Sequence, residues 1–191
     1  MNKERVTALL EGCVKGGFIQ DEVVSTPIHG TVLEIGAGSS MWVDVLAHFS
    51  SCIDAAGGLH SRKNAGHGIT KIYGVEPNPI LAKALQMHVN DVGLQDIYHV
   101  IPVGIKSVND PSAWDGKIKH GSVNCILGIL CLCSIPEPEK NIQMLYKLLK
   151  TGSHWFMNEH VKVSCGSPLL CFYQYHTGYE VIPHIISTLK K

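Results

Sequence analysis

The sequence predicts an α/β fold, a mostly parallel sheet with helices on both faces. Three observations predict it. From residue 29 onward, short apolar runs alternate with segments of helical periodicity. A glycine-containing turn follows the first of these runs and leads into an amphipathic segment. Residues 123–132 are almost continuously apolar, as a parallel strand buried on both faces requires.

Residues 1–28 read as a partly helical N-terminal segment. Val6, Leu9 and Leu10 hint at a short helix, which Gly12 weakens and Gly16-Gly17 breaks. The domain proper is 29–191. Its first strand is 31–35, followed by the tight turn Gly36-Ala37-Gly38-Ser39-Ser40. A helix comes next, with Trp42, Val45, Leu46 and Phe49 on one face. Residues 50–70, rich in Gly, Ser and His, read as a surface insertion. The second strand is 71–75. Asn78 then suits an N-cap and Pro79 the first helical position. Leu81, Ala84, Leu85 and His88 share a face of that helix, and Gly93 follows its end. The third strand is near 98–103 and the fourth near 123–132. A helix over 138–150 carries the stripe Ile142, Leu145, Leu148 and Leu149 and stops at Gly152. The fifth strand is 155–158, extending toward 161. A weak helix near 168–176 and an apolar stretch at 181–189 complete the chain. Right-handed crossovers in such a series place sites at the carboxyl ends of the strands, where the strand order switches.

The length of 191 residues fits one domain. Apolar residues make up 45% and charged residues 17%, which supports a core and argues against disorder. The formal net charge is zero. Nothing electrostatic therefore points to nucleic acid, and weak colloidal repulsion favours self-association. The seven cysteines include no C-x-x-C pair and read as reduced, mostly buried thiols of a cytoplasmic protein. No apolar run approaches the roughly 20 residues that span a bilayer. The first residues also lack the apolar core of a signal peptide. Peripheral membrane association stays open.

Glycine at 36 and 38 permits positive φ and removes Cβ atoms that would block a ligand. A nucleotide-like cofactor can then approach the backbone beside the free N–H groups of the following helix. Glu76 ends the second strand, where a carboxylate can accept hydrogen bonds from a ribose diol; alternatively it caps the Asn78 region. These two signals also fit a dinucleotide-binding dehydrogenase, whose fingerprint is G-x-G-x-x-G with an acidic residue about 20 positions on. Here Met41 stands in place of the third glycine, and Glu76 is displaced by the insertion.

Val32-Leu33-Glu34-Ile35-Gly36-Ala37-Gly38 resembles the first motif of class I S-adenosylmethionine-dependent methyltransferases, and Tyr73-Gly74-Val75-Glu76-Pro77-Asn78-Pro79 resembles their second, acidic motif. More narrowly, Leu130-Cys131-Leu132-Cys133-Ser134-Ile135, Leu148-Leu149-Lys150-Thr151-Gly152 and Glu159-His160-Val161 resemble segments of the small thiol and phenol methyltransferases and their fungal relatives. The resemblance covers about 29–163. It implies a Rossmann-like class I methyltransferase sheet over 29–191 that binds S-adenosylmethionine and methylates an S- or O-nucleophile of a small molecule. It also implies that Gly36, Ala37 and Gly38 lie against the cofactor's methionine and ribose, with Glu34 near the amino end. Glu76 is expected on the ribose hydroxyls, Pro77 and Asn78 beside the adenine, and Gly104 in the adenine pocket. Leu130 and Cys131 are expected beside the sulfonium and the substrate entrance.

The chain departs from this pattern in places. Gly104-Ile105 stands where relatives carry an acidic residue for adenine, Asn124 where aspartate is common, and Thr151 where a turn proline is usual. Residues 164–191 look too few for the family's closing antiparallel strand pair. Truncation of that pair would leave the fifth strand an uncovered edge open to self-association. Membrane-associated relatives carry an apolar N-terminal anchor, which residues 1–28 do not provide.

A sulfonium donor is already activated, so the protein's main task is alignment, with reacting atoms about 3–3.5 Å apart. A thiol or phenol acceptor also gains from a base. His160, at the end of the fifth strand, is the catalytic candidate; a strand-end histidine bonded to backbone is the competing reading. His60 and His67 have no carboxylate partner in sequence and read as solvated, so no metal is expected. Cys131 and Cys133, on one strand face, read as core, as do Trp42 and Trp155. Two alternatives accompany the methyltransferase reading: a degenerate member serving as a binding or scaffold protein, and a NAD-dependent oxidoreductase.

Overall fold

The computed structural model describes residues 3–39, 41–50, 68–160 and 184–191, with backbone alone at 160 and 184–190. Helix α1 (Lys3–Leu10) leads into a hairpin of β1 (Val14–Lys15) and β2 (Phe18–Ile19). Gly16 and Gly17 between them take φ of 58° and 87°. Two successive positive-φ residues suit a hairpin turn whose twist matches its strands. The glycine pair thus makes a turn as well as ending the helical pattern. Val6, Leu9 and Leu10 are buried, as their spacing predicts.

The main sheet is built from β3 (Gly30–Ile35), β4 (Ile69–Val75), β5 (Tyr98–Ile101), β6 (Val123–Ile129), β7 (Leu149–His160) and β8 (His184–Lys190). Their spatial order is β5-β4-β3-β6-β7-β8. The first five pair in parallel and β8 runs antiparallel to β7. Helix α2 (Val43–Phe49) follows β3, α3 (Pro79–Asp91) follows β4 and α4 (Pro138–Leu148) precedes β7. The side chains alternate between two cores. Val32, Ile72, Tyr98, Leu127 and Phe156 pack with residues of α1, α2 and α3. Leu33, Ile35, Val75, Ile126 and Trp155 pack with Leu145 and Leu148 of α4. Each fully buried aliphatic side chain contributes about 1.5–3 kcal/mol. Among the described residues, no helix is long and apolar enough to cross a membrane.

Several sequence expectations are corrected. β7 is not an uncovered edge, because His154–His160 pairs residue by residue with Lys190–His184. An antiparallel partner needs no crossover helix, so a single late strand covers the edge that self-association was expected to use. Gly152 does not stop α4. The helix ends at Leu148, and Gly152 lies inside β7 with φ of 81°, near the register shift between Val123 and Cys125. The stripe residue Leu149 consequently opens β7. The buried face of α3 is Ala82, Leu85 and Val89: Leu85 is buried as predicted, Ala84 and His88 are half-buried, and Leu81 is exposed. β6 stops at Ile129, so Cys131 and Cys133 share no strand face; the first is buried and the second exposed. Trp42 and Trp155 are core residues, as expected. Residues 51–67, with His60 and His67, and the helix expected near 168–176 lie outside the described residues.

Candidate functional site

Strand order reverses between β3 and β6, and the strand ends are level there. Ile35 pairs with Val75 on one side and Gly128 on the other. The turns after β3, β4 and β6 therefore meet at one edge of the sheet, the place where ligands bind in open α/β folds.

The turn after β3 is shaped by Gly36 and Gly38, with φ of 63° and 61°. The Ala37 N–H donates to the Val75 carbonyl at 3.1 Å, and the Ala37 side chain is buried. Gly36 is exposed and Gly38 half-exposed. A Cβ on Gly38 would meet nothing closer than 4.0 Å, so backbone there is open to a ligand. A Cβ on Gly36 would lie 2.7 Å from the Cβ of Cys131. The absent side chain at 36 thus makes room for the turn after β6.

Glu76 joins the turns after β3 and β4. Its Oε2 accepts the Gly38 N–H and its Oε1 accepts the Asn78 N–H, both at 2.9 Å. Its backbone N–H donates to Ile101 at 3.0 Å, so the side chain is held from both ends. The ribose and capping readings therefore share one geometry. An ionised carboxylate offers about four acceptor directions, of which two are taken. Pro77 and Asn78 are exposed beside it. Asn78 caps α3 as predicted, accepting from Ile80 N–H at 2.9 Å and Leu81 N–H at 3.4 Å. Gly104 is exposed at the head of a 3-10 turn (Ile105–Ser107), with nothing within 4 Å of its missing side chain.

Glu34 is buried, and its Oε2 accepts the Tyr98 hydroxyl at 2.6 Å. Burial pushes its carboxyl up to about 7, against the lowering effect of that hydrogen bond.

Leu130 and Cys131 form the turn after β6. Leu130 takes φ of 53°, unusual for a side chain of its size. Its N–H donates to the Asn158 carbonyl at 2.9 Å. Cys131 is buried, and its N–H and thiol reach Glu159 Oε1 at 3.1 and 3.4 Å. Burial first, and then the Glu159 charge, hold this thiol far above its usual range, which suits packing and disfavours a thiolate. The backbone of His160 closes β7 opposite His184; its side chain lies outside the described residues.

Sequence reasoning missed two residues that shape this edge. In the sequence Glu159 stands out only as part of a glutamate–histidine pair, although a carboxylate ending an apolar strand needs a partner when buried. Tyr98 reads in the sequence only as strand, and nothing local signals its hydroxyl's partner. A cavity of about 280 Å³ lined by Asn109, Lys117, Ile118, Lys119 and His120 lies on the approach to β6, away from these turns. Among the described residues, no group of three or more His, Cys, Asp or Glu side chains is placed to hold a metal.

Comparison with solved structures gives the same architecture at low sequence identity. The chain superposes on a protein assigned as a methyltransferase from Bacillus halodurans with a TM-score of 0.58 and 11% identity, covering 91% of this chain and 58% of that one. It matches the [4+2]-cyclase SpnF with a TM-score of 0.57 and 17% identity, over 86% and 47% of the two chains. It also matches a protein assigned as an S-adenosyl-L-methionine-dependent methyltransferase from Methanococcus maripaludis, with a TM-score of 0.51 and 14% identity over 70% and 49%. The chain thus spans about half the length of these proteins. No curated protein matches its sequence. The family model for the methyltransferase domain matches residues 17–182. The chain therefore belongs to the methyltransferase-domain family and carries its Rossmann-like class I fold.

Proposed function

We propose that this protein transfers a methyl group from S-adenosylmethionine to a sulfur or oxygen nucleophile of a small molecule, as the small thiol and phenol methyltransferases it resembles do. One observation carries the reading. The bare backbone of Gly38 and the carboxylate of Glu76 lie within 2.9 Å of each other at the switch in strand order. That juxtaposition supplies an open surface and a charged acceptor side by side. The residues fit a nucleoside bearing a sulfonium amino acid. Gly36 is exposed, Gly38 and Gly104 have no side chain and free space around them, and Glu76 retains acceptor capacity.

When bound, the sulfonium supplies an already activated methyl group, so no further activation of the donor is needed. The chain's own residues bind and align. Glu76 would hold the ribose hydroxyls, with Pro77, Asn78 and Gly104 around the adenine. Gly36, Ala37 and Gly38 would take the methionine and ribose portion. Glu34 would act from below the turn, through its buried carboxyl. Leu130 and Cys131 would wall the reacting side and exclude water. His160, at the end of β7, is the base proposed for a thiol or phenol acceptor.

Calorimetric titration with S-adenosylhomocysteine and with NAD tests this reading. Binding of the first alone is the expected result, followed by turnover with a panel of thiols and phenols. Binding of neither would replace it with the degenerate, non-catalytic reading, and binding of NAD alone would replace it with an oxidoreductase.

A further inference from the structure

We infer that Glu159 is a positioning residue: it is the built-in anion that holds the strained turn after β6 closed and sets Cys131 against Gly36.

Three consecutive backbone N–H groups carry the inference. Those of Leu130, Cys131 and Leu132 all point to the end of β7. Leu130 bonds the Asn158 carbonyl at 2.9 Å. Cys131 bonds Glu159 Oε1 at 3.1 Å, and Leu132 shares both carboxylate oxygens at 3.3 Å. Leu130 is left-handed, with φ of 53°, and Cys131 right-handed, with φ of −114° and ψ of −26°. Successive N–H groups in alternating hands form a concave nest that favours an anion. Here the nest is filled from within the chain, by a buried carboxylate 28 residues away in sequence. A leucine in the left-handed region is strained and persists only when its surroundings over-determine it. The nest bonds supply that determination.

The position of the turn has a consequence at the cofactor edge. Gly128, on β6, is flanked by Trp155 Nε1, Cys131 Sγ and Glu159 Oε1, each 3.4–3.6 Å from where its Cβ would be. The Trp155 indole N–H is buried without a hydrogen-bond partner among the described residues. Gly128 thus lies in ordinary contact distance of all three, beside the nest. Two of the nest residues, Leu130 and Cys131, are those that the proposed function places beside the reacting groups. This part of the inference rests on that proposal. A loosened turn would withdraw Cys131 from Gly36 and open the wall of the crevice.

The experiment follows the accessibility of the Cys131 thiol and the affinity for S-adenosylhomocysteine in the full chain. Cys131 modification by N-ethylmaleimide is read by peptide fragmentation in a Cys133→Ser background, because Cys133 is exposed. Glu159→Gln keeps an acceptor but loses the charge-assisted bonds. It is expected to raise the Cys131 modification rate roughly tenfold or more, and Glu159→Leu further. Adding Leu130→Gly to Glu159→Gln removes the left-handed strain and is expected to return the rate toward wild type. A faster reaction caused only by removing the Glu159 charge from beside the thiol would not show that rescue. Should Glu159→Leu fail to fold, the Gln and double variants decide. Unchanged Cys131 modification in Glu159→Gln, or no rescue by Leu130→Gly, overturns the clamp. Wild-type protein that binds no S-adenosylhomocysteine overturns the proposed function while the labelling still judges the clamp. Equal affinity in wild type and a Glu159→Gln variant with a loosened Cys131 overturns the link between turn and crevice.

Discussion

The hydroxyl of Tyr98 on β5 reaches across β4 to donate to Glu34 Oε2 on β3 at 2.6 Å. Gly74 makes this possible. It pairs with Glu34, and a Cβ at that position would lie 2.3 Å from the Tyr98 hydroxyl oxygen. One missing side chain on the middle strand thus opens a passage for a hydrogen bond between its two neighbours. The bond keeps a buried carboxyl from being left without a partner, which costs about 1–3 kcal/mol or more.

The first expectation concerns pH. Burial raises the Glu34 carboxyl to about 7 in the folded chain, against about 4.3 in an unfolded one. Between those values the folded state holds a proton that the unfolded state has released. The Glu34 contribution to stability therefore falls as pH rises from about 4.5 to about 7, by on the order of 3 kcal/mol, and is level above. Asp110 and Glu137 are exposed and shifted downward, so their contributions are lost at lower pH, outside this window. His99, lowered by burial and by Lys71, opposes the Glu34 trend within it and is common to wild type and Glu34→Gln, so the difference between the two proteins isolates Glu34. Urea unfolding at pH 5 and pH 8 checks it. Glu34→Gln should flatten the difference, and equal slopes in both proteins would refute the assignment.

Gly74→Ala tests the passage itself. The added methyl meets the Tyr98 ring and hydroxyl at 2.3–2.7 Å. Both lie in the core, where neither can yield freely. The expected loss is about 1–3 kcal/mol, as for other overpacked sites, read as a lowered thermal midpoint. A midpoint unchanged from wild type would mean that the strand spacing absorbs the methyl.

What was legible in the sequence was local. The apolar runs of β3, β4 and β6 and the Asn78-Pro79 start of α3 each rest on neighbours within a few residues, and the structure keeps them. The relationships that shape the site span much longer separations: 64 residues between Glu34 and Tyr98, 38 between Gly38 and Glu76, and 28 between Cys131 and Glu159. Only the sheet brings them together. The left-handed Leu130 was illegible because nothing in its side chain asks for that conformation; the nest imposes it. Gly152 reads as a helix stop because positive φ serves a helix end and an irregular strand alike. β8 was illegible because its place depends on an open β7 edge, a property of the fold and not of residues 184–190.

Gly36 and Gly38 carry similar φ but different surroundings, and alanine should separate them. At either position a left-handed alanine costs roughly 1–2 kcal/mol. Only at 36 does the methyl also strike Cys131, at 2.7 Å. Gly36→Ala should therefore lower stability by about 1–3 kcal/mol beyond Gly38→Ala. Chemical unfolding of the two variants side by side decides, and equal losses would show that the Cys131 turn moves aside without cost.

Glu76→Ala removes the acceptor that bridges two turns. Gly38 and Asn78 N–H groups lose their partner together. A stability loss of about 1–3 kcal/mol is expected. The loss of binding should be larger than for a simple cap. Affinity for S-adenosylhomocysteine is expected to fall at least about tenfold, the equivalent of one charged hydrogen bond. Lys83→Gly is the control, because an exposed glycine inside α3 also weakens that helix, by about 0.5–1 kcal/mol, but leaves Glu76 and the residues proposed around the adenine in place. Titration calorimetry on both variants separates the two effects. Equal affinities for wild type and Glu76→Ala would take the carboxylate out of the binding site.

Residues 184–191 should limit self-association of the sheet through β7. Seven residue pairs join β8 to β7, and Lys191 extends the seal. Its N–H donates to Ser153, its carbonyl accepts from Gly152, and its Nζ reaches the Leu149 carbonyl at 2.6 Å. Ending the chain at residue 183 would remove the partners that β8 and Lys191 give to residues 152–160 of β7. Such an edge is a template for pairing with another copy. The truncated protein is therefore expected to self-associate with rising concentration, and the full chain to do so less. Light scattering across a dilution series measures the difference. Should the truncated chain remain as monodisperse as the full one, the edge must be protected by something other than β8.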